Sequence, residues 1–129
     1  MTSPYRFRTC HRLRTGADFE RVYRAGRRAG DGLFAVNALG NDIGYARLGM
    51  SVSYRTVGNA VSRNRVRRLI REMFRLSHAT LPALDFVVTS RPGARNAERP
   101  ILLTSLERLF AEATRKAMAP PAPNAPPRH

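Results

Sequence analysis

The sequence predicts an α+β fold: a single-domain α-β sandwich with helices packed against a small sheet, in the order α-β-β-α-β-α. Three observations carry this. Short runs at 33–39 and 46–53 have strand character and are joined by turn residues. A more fully apolar run spans 84–89. Apolar residues recur at helical spacing in three other segments, 16–25, 58–75 and 101–117. At 129 residues, 43% of them hydrophobic, the chain is long enough for one modest core.

The first helix is placed at 16–25. Thr15 caps it, Asp18 sits near its positive end and Gly26 stops it. Phe19, Val22 and Tyr23 share one face at i, i+3 and i+4, and Val22 is assigned to the core. Residues 26–32, with Arg27, Arg28 and three glycines, read as a loop. Residues 33–39 read as a strand, followed by turn chemistry at Asn41, Asp42 and Gly44. In 46–53, Leu48, Met50 and Val52 point one way, and Arg47, Gly49, Ser51 and Ser53 the other. The intervening turn predicts that these two strands form an antiparallel pair. Leu84 to Thr89 is the third strand, and Arg91-Pro92-Gly93 breaks the chain. The last helix, 101–117, carries Leu102, Leu106, Leu109, Phe110 and Ala113 on one stripe. Residues 1–14 form a basic lead-in, 15–118 the domain, and 119–129 a proline-rich tail that reads as extended and disordered.

The middle helix is the most informative segment. Asn59 is its cap. Val66, Leu69, Ile70, Met73 and Phe74 fall on one side of a helical wheel. Asn64, Arg67, Arg68, Arg71 and Arg75 fall on the other, with Arg63 and Arg65 flanking the apolar stripe. Such a helix has an apolar back for a core and a front of guanidinium forks, each able to hold a phosphate bidentately. Across the chain 23 basic residues face 9 acidic ones, a formal net charge of +14. That excess favours a polyanionic partner, nucleic acid first and an acidic membrane surface second.

Other classes lack their signatures. No apolar run is long enough to span a bilayer, and the N-terminus has no secretory pattern. Cys10 is the sole cysteine, which rules out an internal disulfide and fits a reduced cytoplasmic setting. His11, His78 and His129 are scattered. A two-metal nuclease needs clustered carboxylates, whereas Asp18, Glu20, Asp31, Asp42 and Asp85 are dispersed along the chain.

The stretch Gly58-Asn59-Ala60-Val61-x-Arg63-Asn64-Arg65-Val66-Arg67-Arg68-Leu69-Ile70-Arg71-Glu72-x-Phe74 closely resembles the signature helix of the bacterial ribonuclease P protein component. Asp18-Phe19-x-x-Val22-Tyr23-x-x-Gly26 resembles that family's first helix, and Arg47 to Ser53 its second strand. The likeness covers roughly residues 11–117. It implies a subunit of the ribonuclease P holoenzyme, which removes the 5′ leader of precursor tRNA with catalysis by the RNA subunit and none by the protein alone. It also implies a left-handed β-α-β crossover through the arginine helix, a hand that the usual rule would not select. The implied partners are the catalytic RNA, in a 1:1 complex with a protein monomer, and precursor tRNA, with neither membrane nor DNA. Mg2+, bound mainly by the RNA, is the implied cofactor.

By the same resemblance Arg63, Asn64, Arg65, Arg67, Arg68, Arg71 and Arg75 would bind the catalytic RNA, with Asn64 also able to reach a metal-bound water. Phe19 and Tyr23, which on spacing alone suit core packing, would line a leader-binding cleft, with Arg55 beside it. Aromatic faces stack on any base while basic groups follow the backbone. Two positions depart from the family pattern: Asn37 stands where an aromatic is common, and Tyr54-Arg55 where lysines are common. The rival readings are a structural RNA binder of the ribosomal-protein type and a helix-turn-helix DNA regulator. The latter needs two helices joined by a short turn, whereas strands flank the basic helix here.

Overall fold

A computed structural model describes residues 12–13 and 15–119. The basic lead-in other than Arg12 and Leu13, together with Cys10, His11 and the proline-rich tail from 120 onward, lies outside the described residues. The elements run α1 (Gly16–Ala25), β1 (Arg27–Gly30), β2 (Phe34–Gly40), β3 (Arg47–Ser51), α2 (Tyr54–Val57), α3 (Ala60–Ser77), β4 (Leu84–Ser90) and α4 (Arg99–Met118), with 3-10 turns at His78–Thr80 and Pro92–Arg95. The architecture is α+β, with one four-stranded sheet between helical layers.

The expected antiparallel pairing of 33–39 with 46–53 does not occur. The sheet order is β1-β2-β4-β3, so β4 lies between those two strands. β4 is antiparallel to β2 and parallel to β3, which makes α3 part of a β3–β4 crossover. The physical reason is burial. All of β4 except Thr89 is buried, as suits a strand with neighbours on both sides and layers on both faces. A turn at 41–45 licenses a hairpin, but it cannot outweigh the apolar area that β4 buries at the centre. Residues 27–30, read as a loop, instead form the edge strand β1 on β2. Four residues with a single buried side chain, Ala29, give too short an alternation to see in sequence.

Alternation sorts the sheet into two faces. Phe34, Val36, Ala38, Leu48, Leu84, Phe86 and Val88 join the main core with α3 and α4. The apolar stripes expected on both helices are buried there in full. Phe86 and Phe110 have ring centroids 4.9 Å apart, and Phe74 lies 6.4 Å from each. The opposite face carries α1. Val22 is fully buried in a small cluster with Leu13 and Val87, and Phe19 and Leu39 pack at its border.

Both ends of α1 are fixed as the sequence predicts. Thr15 Oγ1 accepts from the Asp18 amide at 3.1 Å. At the other end, the Gly26 amide donates to the Val22 carbonyl at 2.9 Å. A Cβ at Gly26 would lie 2.8 Å from the Ala38 carbonyl oxygen, so only glycine lets the chain turn this close to β2. Gly49 serves similarly on β3, where a Cβ would meet the Phe19 ring at 2.7 Å.

One buried carboxylate clamps α1 to the sheet. The Asp85 side chain is 0% exposed. It accepts from Arg47 Nε and Nη2, each at 2.8 Å, from Arg21 Nη2 at 2.7 Å and from Asn41 Nδ2 at 2.8 Å. Burial alone would push this carboxyl up. The hydrogen bonds from Arg47 and Asn41, with the charges of Arg47 and Arg21, outweigh that and hold it below the ordinary carboxylate range. Asp31 plays a comparable part at the β1–β2 turn, accepting from the Leu33 and Phe34 amides, Ser105 Oγ and Arg108 Nη2.

Asp85→Asn should lower stability at pH 7 by about 3 kcal/mol in urea unfolding, because it leaves Arg47 without its anion. A carboxylate with a depressed folded pKa stabilises above its unfolded value, about 4. That contribution is lost as pH falls through the folded value. The difference between wild type and variant should therefore be full above about pH 4 and close in stronger acid. A constant difference down to the acid limit would rule out an ionised Asp85.

Candidate nucleic-acid interface

The helix that bears the arginines is oriented by its entry. Gly58 takes a φ of 94°, a left-handed value that glycine adopts freely, and turns the chain from α2 into α3. Asn59 Oδ1 then accepts from the Ser62 amide at 3.0 Å, the expected cap. With its apolar stripe on the core, α3 leaves Asn64, Arg65 and Arg68 exposed, and Arg63, Arg67, Arg71 and Arg75 partly so.

None of the six arginines on this helix forms an ion pair among the described residues. Glu72, the one acid of α3, turns away to Arg99 of α4 at 3.2 Å. The front of α3 is thus a field of like charge. Arg71 feels it most: burial first, then the charges of Arg12, Arg67 and Arg68, lower its pKa from the usual guanidinium value, though it stays cationic at neutral pH. Arg67 is held by long hydrogen bonds, to the Val52 carbonyl at 3.5 Å and to Asn64 Oδ1 at 3.4 Å. The Arg63 Nε is buried with no partner among the described residues. Arg68, Arg71, Glu72 and Arg75 border a shallow hollow of about 270 Å³.

The α1 side is divided. Phe19 and Tyr23 both extend over the sheet, but Val22 seats α1 on Val87, and the two rings open onto different hollows. Phe19 lies on Gly49 in a hollow of about 340 Å³ shared with Arg12, Met50, Arg67 and Arg71. It therefore joins the arginine face of α3. Tyr23 is 43% exposed, and its hydroxyl lies 3.1 Å from Thr89 Oγ1. It lines a second hollow of about 300 Å³ with Gly26, Arg28, Ala35, Asn37 and Thr89.

Arg55 and Tyr54 are exposed on α2, a single turn absent from the sequence reading. Ser53 caps that turn through the Thr56 amide at 3.2 Å. Thr56 Oγ1 meets Ser90 Oγ at 2.6 Å, which ties α2 to the end of β4. The Ser53-x-x-Thr56 spacing was the available signal. Arg12 and Arg28 were also missed as lining residues. Arg28 faces the hollow because β1 is a strand, and Arg12 because it bridges to Leu48.

The family model described as Ribonuclease P matches residues 7–114. Among characterised relatives, the ribonuclease P protein component of Methylococcus capsulatus is 35% identical over 119 residues, covering 92% of this chain and 93% of its own. That of Syntrophobacter fumaroxidans is 47% identical over 96 residues, 73% of this chain and 80% of its own. Among solved structures, the Staphylococcus aureus RNase P protein superimposes with a TM-score of 0.76 at 36% identity, covering 80% of this chain and 94% of that one. The Thermotoga maritima RNase P protein gives 0.70 at 27% identity, covering 78% and 96%. A match over most of the chain, in sequence and in fold, means that this chain belongs to the bacterial ribonuclease P protein family, the protein subunit of an endoribonuclease holoenzyme.

Proposed function

We propose that this protein binds the catalytic RNA of ribonuclease P through the front of α3 and holds the 5′ leader of precursor tRNA against the α1 face of the sheet. The observation that carries this reading is the row of α3 arginines without an acidic partner among the described residues, continuous with a hollow that contains Phe19. Each guanidinium left unpaired by the protein's own acids is available to a phosphate. Arg63, Asn64, Arg65, Arg67, Arg68, Arg71 and Arg75 form the surface for the catalytic RNA. Phe19, Tyr23 and Arg55 serve the leader, the rings by stacking and the arginine by charge.

The protein's effect on the reaction is then indirect. Two RNAs repel one another, and a cationic plate at their junction lowers that repulsion. Mg2+ supplies the chemistry of hydrolysis from sites on the RNA. The donors around Asn64 are flanked by Arg63, Arg65 and Arg67, a cationic setting that suits a metal ion only through RNA phosphates or bound water. The protein acts as a cytoplasmic monomer with one RNA, its folded domain spanning 15–118.

Arg65→Ala and Arg68→Ala should each weaken association with the catalytic RNA about tenfold and reduce the salt slope by about one. Filter binding across a salt series checks both, and unchanged affinity in both variants would overturn the assignment of α3.

Tyr23→Ala should weaken binding of precursor tRNA to the reconstituted holoenzyme about tenfold, the loss of one stacked base, and leave mature tRNA unaffected. Equal losses for the two substrates would instead favour a structural RNA binder with no leader site.

A further inference from the structure

Glu72 is an acid on a surface built for anions. It is the only acidic residue of α3, and it borders the hollow lined by Arg68, Arg71 and Arg75. Arg68 lies four positions before it and Arg75 three after it, the two helical spacings at which side chains meet. On an isolated helix its carboxylate would pair with one or the other and cancel a charge that a phosphate needs. In the folded protein it pairs with neither. It accepts from Arg99 Nη2 at 3.2 Å, and among the described residues it has no other ion pair.

Nothing within α4 favours a cation at position 99. Arg99 is the first residue of that helix, whose first turn holds no acid, and a positive charge at this end opposes the helix dipole. The pair also adds little to stability, because the side chains are 59% and 38% exposed for Arg99 and Glu72. The spacing of the two helices is set beneath it, by Leu69 and Met73 of α3 and Leu102 and Leu106 of α4 in the main core. What the pair does fix is the direction of one negative charge.

We propose that Arg99 is a positioning residue for RNA binding: it draws Glu72 toward α4 and so keeps Arg68 and Arg75 free for phosphate, without touching the RNA itself. The proposal rests on the α3 reading above and deepens it. Loss of Arg99 releases the carboxylate onto its own helix, where Arg68 and Arg75 stand within reach.

The test is filter binding of a bacterial ribonuclease P RNA by the full-length protein across a salt series, for Arg99→Gln, Glu72→Gln and the double variant. Arg99→Gln should weaken binding about fivefold and lower the salt slope by about one. Glu72→Gln should stay within about twofold of wild type, since its charge is already withdrawn. The double variant should bind as wild type does, because no acid is left to release. Arg99→Lys, which keeps a cation for Glu72, should do the same. Circular dichroism melting verifies each fold; should Arg99→Gln not fold, Arg99→Met, which keeps an apolar stem, is measured in its place. A loss that persists in the double variant would mean that Arg99 meets the RNA directly, and overturns the proposal. Equal losses in the two single variants would assign the pair to structure alone. A gain in Glu72→Gln that mirrors the loss in Arg99→Gln would make the two charges independent. Either outcome overturns the proposal, as does wild-type affinity in Arg99→Gln while Arg65→Ala still weakens binding. If Arg65→Ala and Arg68→Ala are also without effect, the α3 reading itself has failed.

Discussion

The buried carboxylate of Asp85 is the constraint on which the placement of the α1 face depends. It sits on the central strand and is reached from three directions: Arg47 on the neighbouring strand, Asn41 at the end of β2, and Arg21 on α1. The apolar contact beneath α1 is small, since Val22, Leu13 and Val87 make up its buried part. A ten-residue helix with so little core needs a directional tie. Charge-assisted hydrogen bonds to a fully desolvated acceptor provide one, and they fix rotation as well as distance. That rotation decides where Phe19 and Tyr23 point.

The same economy of acids shapes the other face. Three carboxylates outside the Asp85 cluster are engaged with α4: Asp31 with Arg108 and Ser105, Glu72 with Arg99, and Glu112, within the helix itself, with Arg108 and Lys116. Each tie neutralises a basic residue of α4, away from the front of α3. The arginines there are left with one another, and Arg71 lies under the combined field of Arg12, Arg67 and Arg68. Surface repulsion of this kind costs little in salt water. It would turn into attraction if a polyanion docked there, which is the physical basis of the RNA contact proposed for this surface.

Much of the architecture was legible because it is local. A helical stripe such as Val66, Leu69, Ile70, Met73 and Phe74 needs only the 3.6-residue period, and all five are buried as that period requires. The caps at Thr15 and Asn59 are likewise three-residue patterns, and both hydrogen bonds form. Strand pairing is not local. The turn at 41–45 pointed to a hairpin of β2 with β3, but β4, more than thirty residues beyond β3, inserts between them. Asp85 could not be singled out from sequence, because it draws its meaning from partners on other elements, Arg47 on β3 and Arg21 on α1.

The sequence by itself determined the three long helices, the strands β2, β3 and β4, the amphipathic sides of the helices, the excess of positive charge and the family to which the chain belongs, since all of these reside in residue type and short-range spacing. The tertiary structure alone decided which strand is central, which acids are withdrawn from the arginine face, and that Phe19 and Tyr23 open onto separate hollows. The physical reason is that burial and ion pairing are properties of neighbours in space. The chain brings those neighbours together across separations that no periodicity spans.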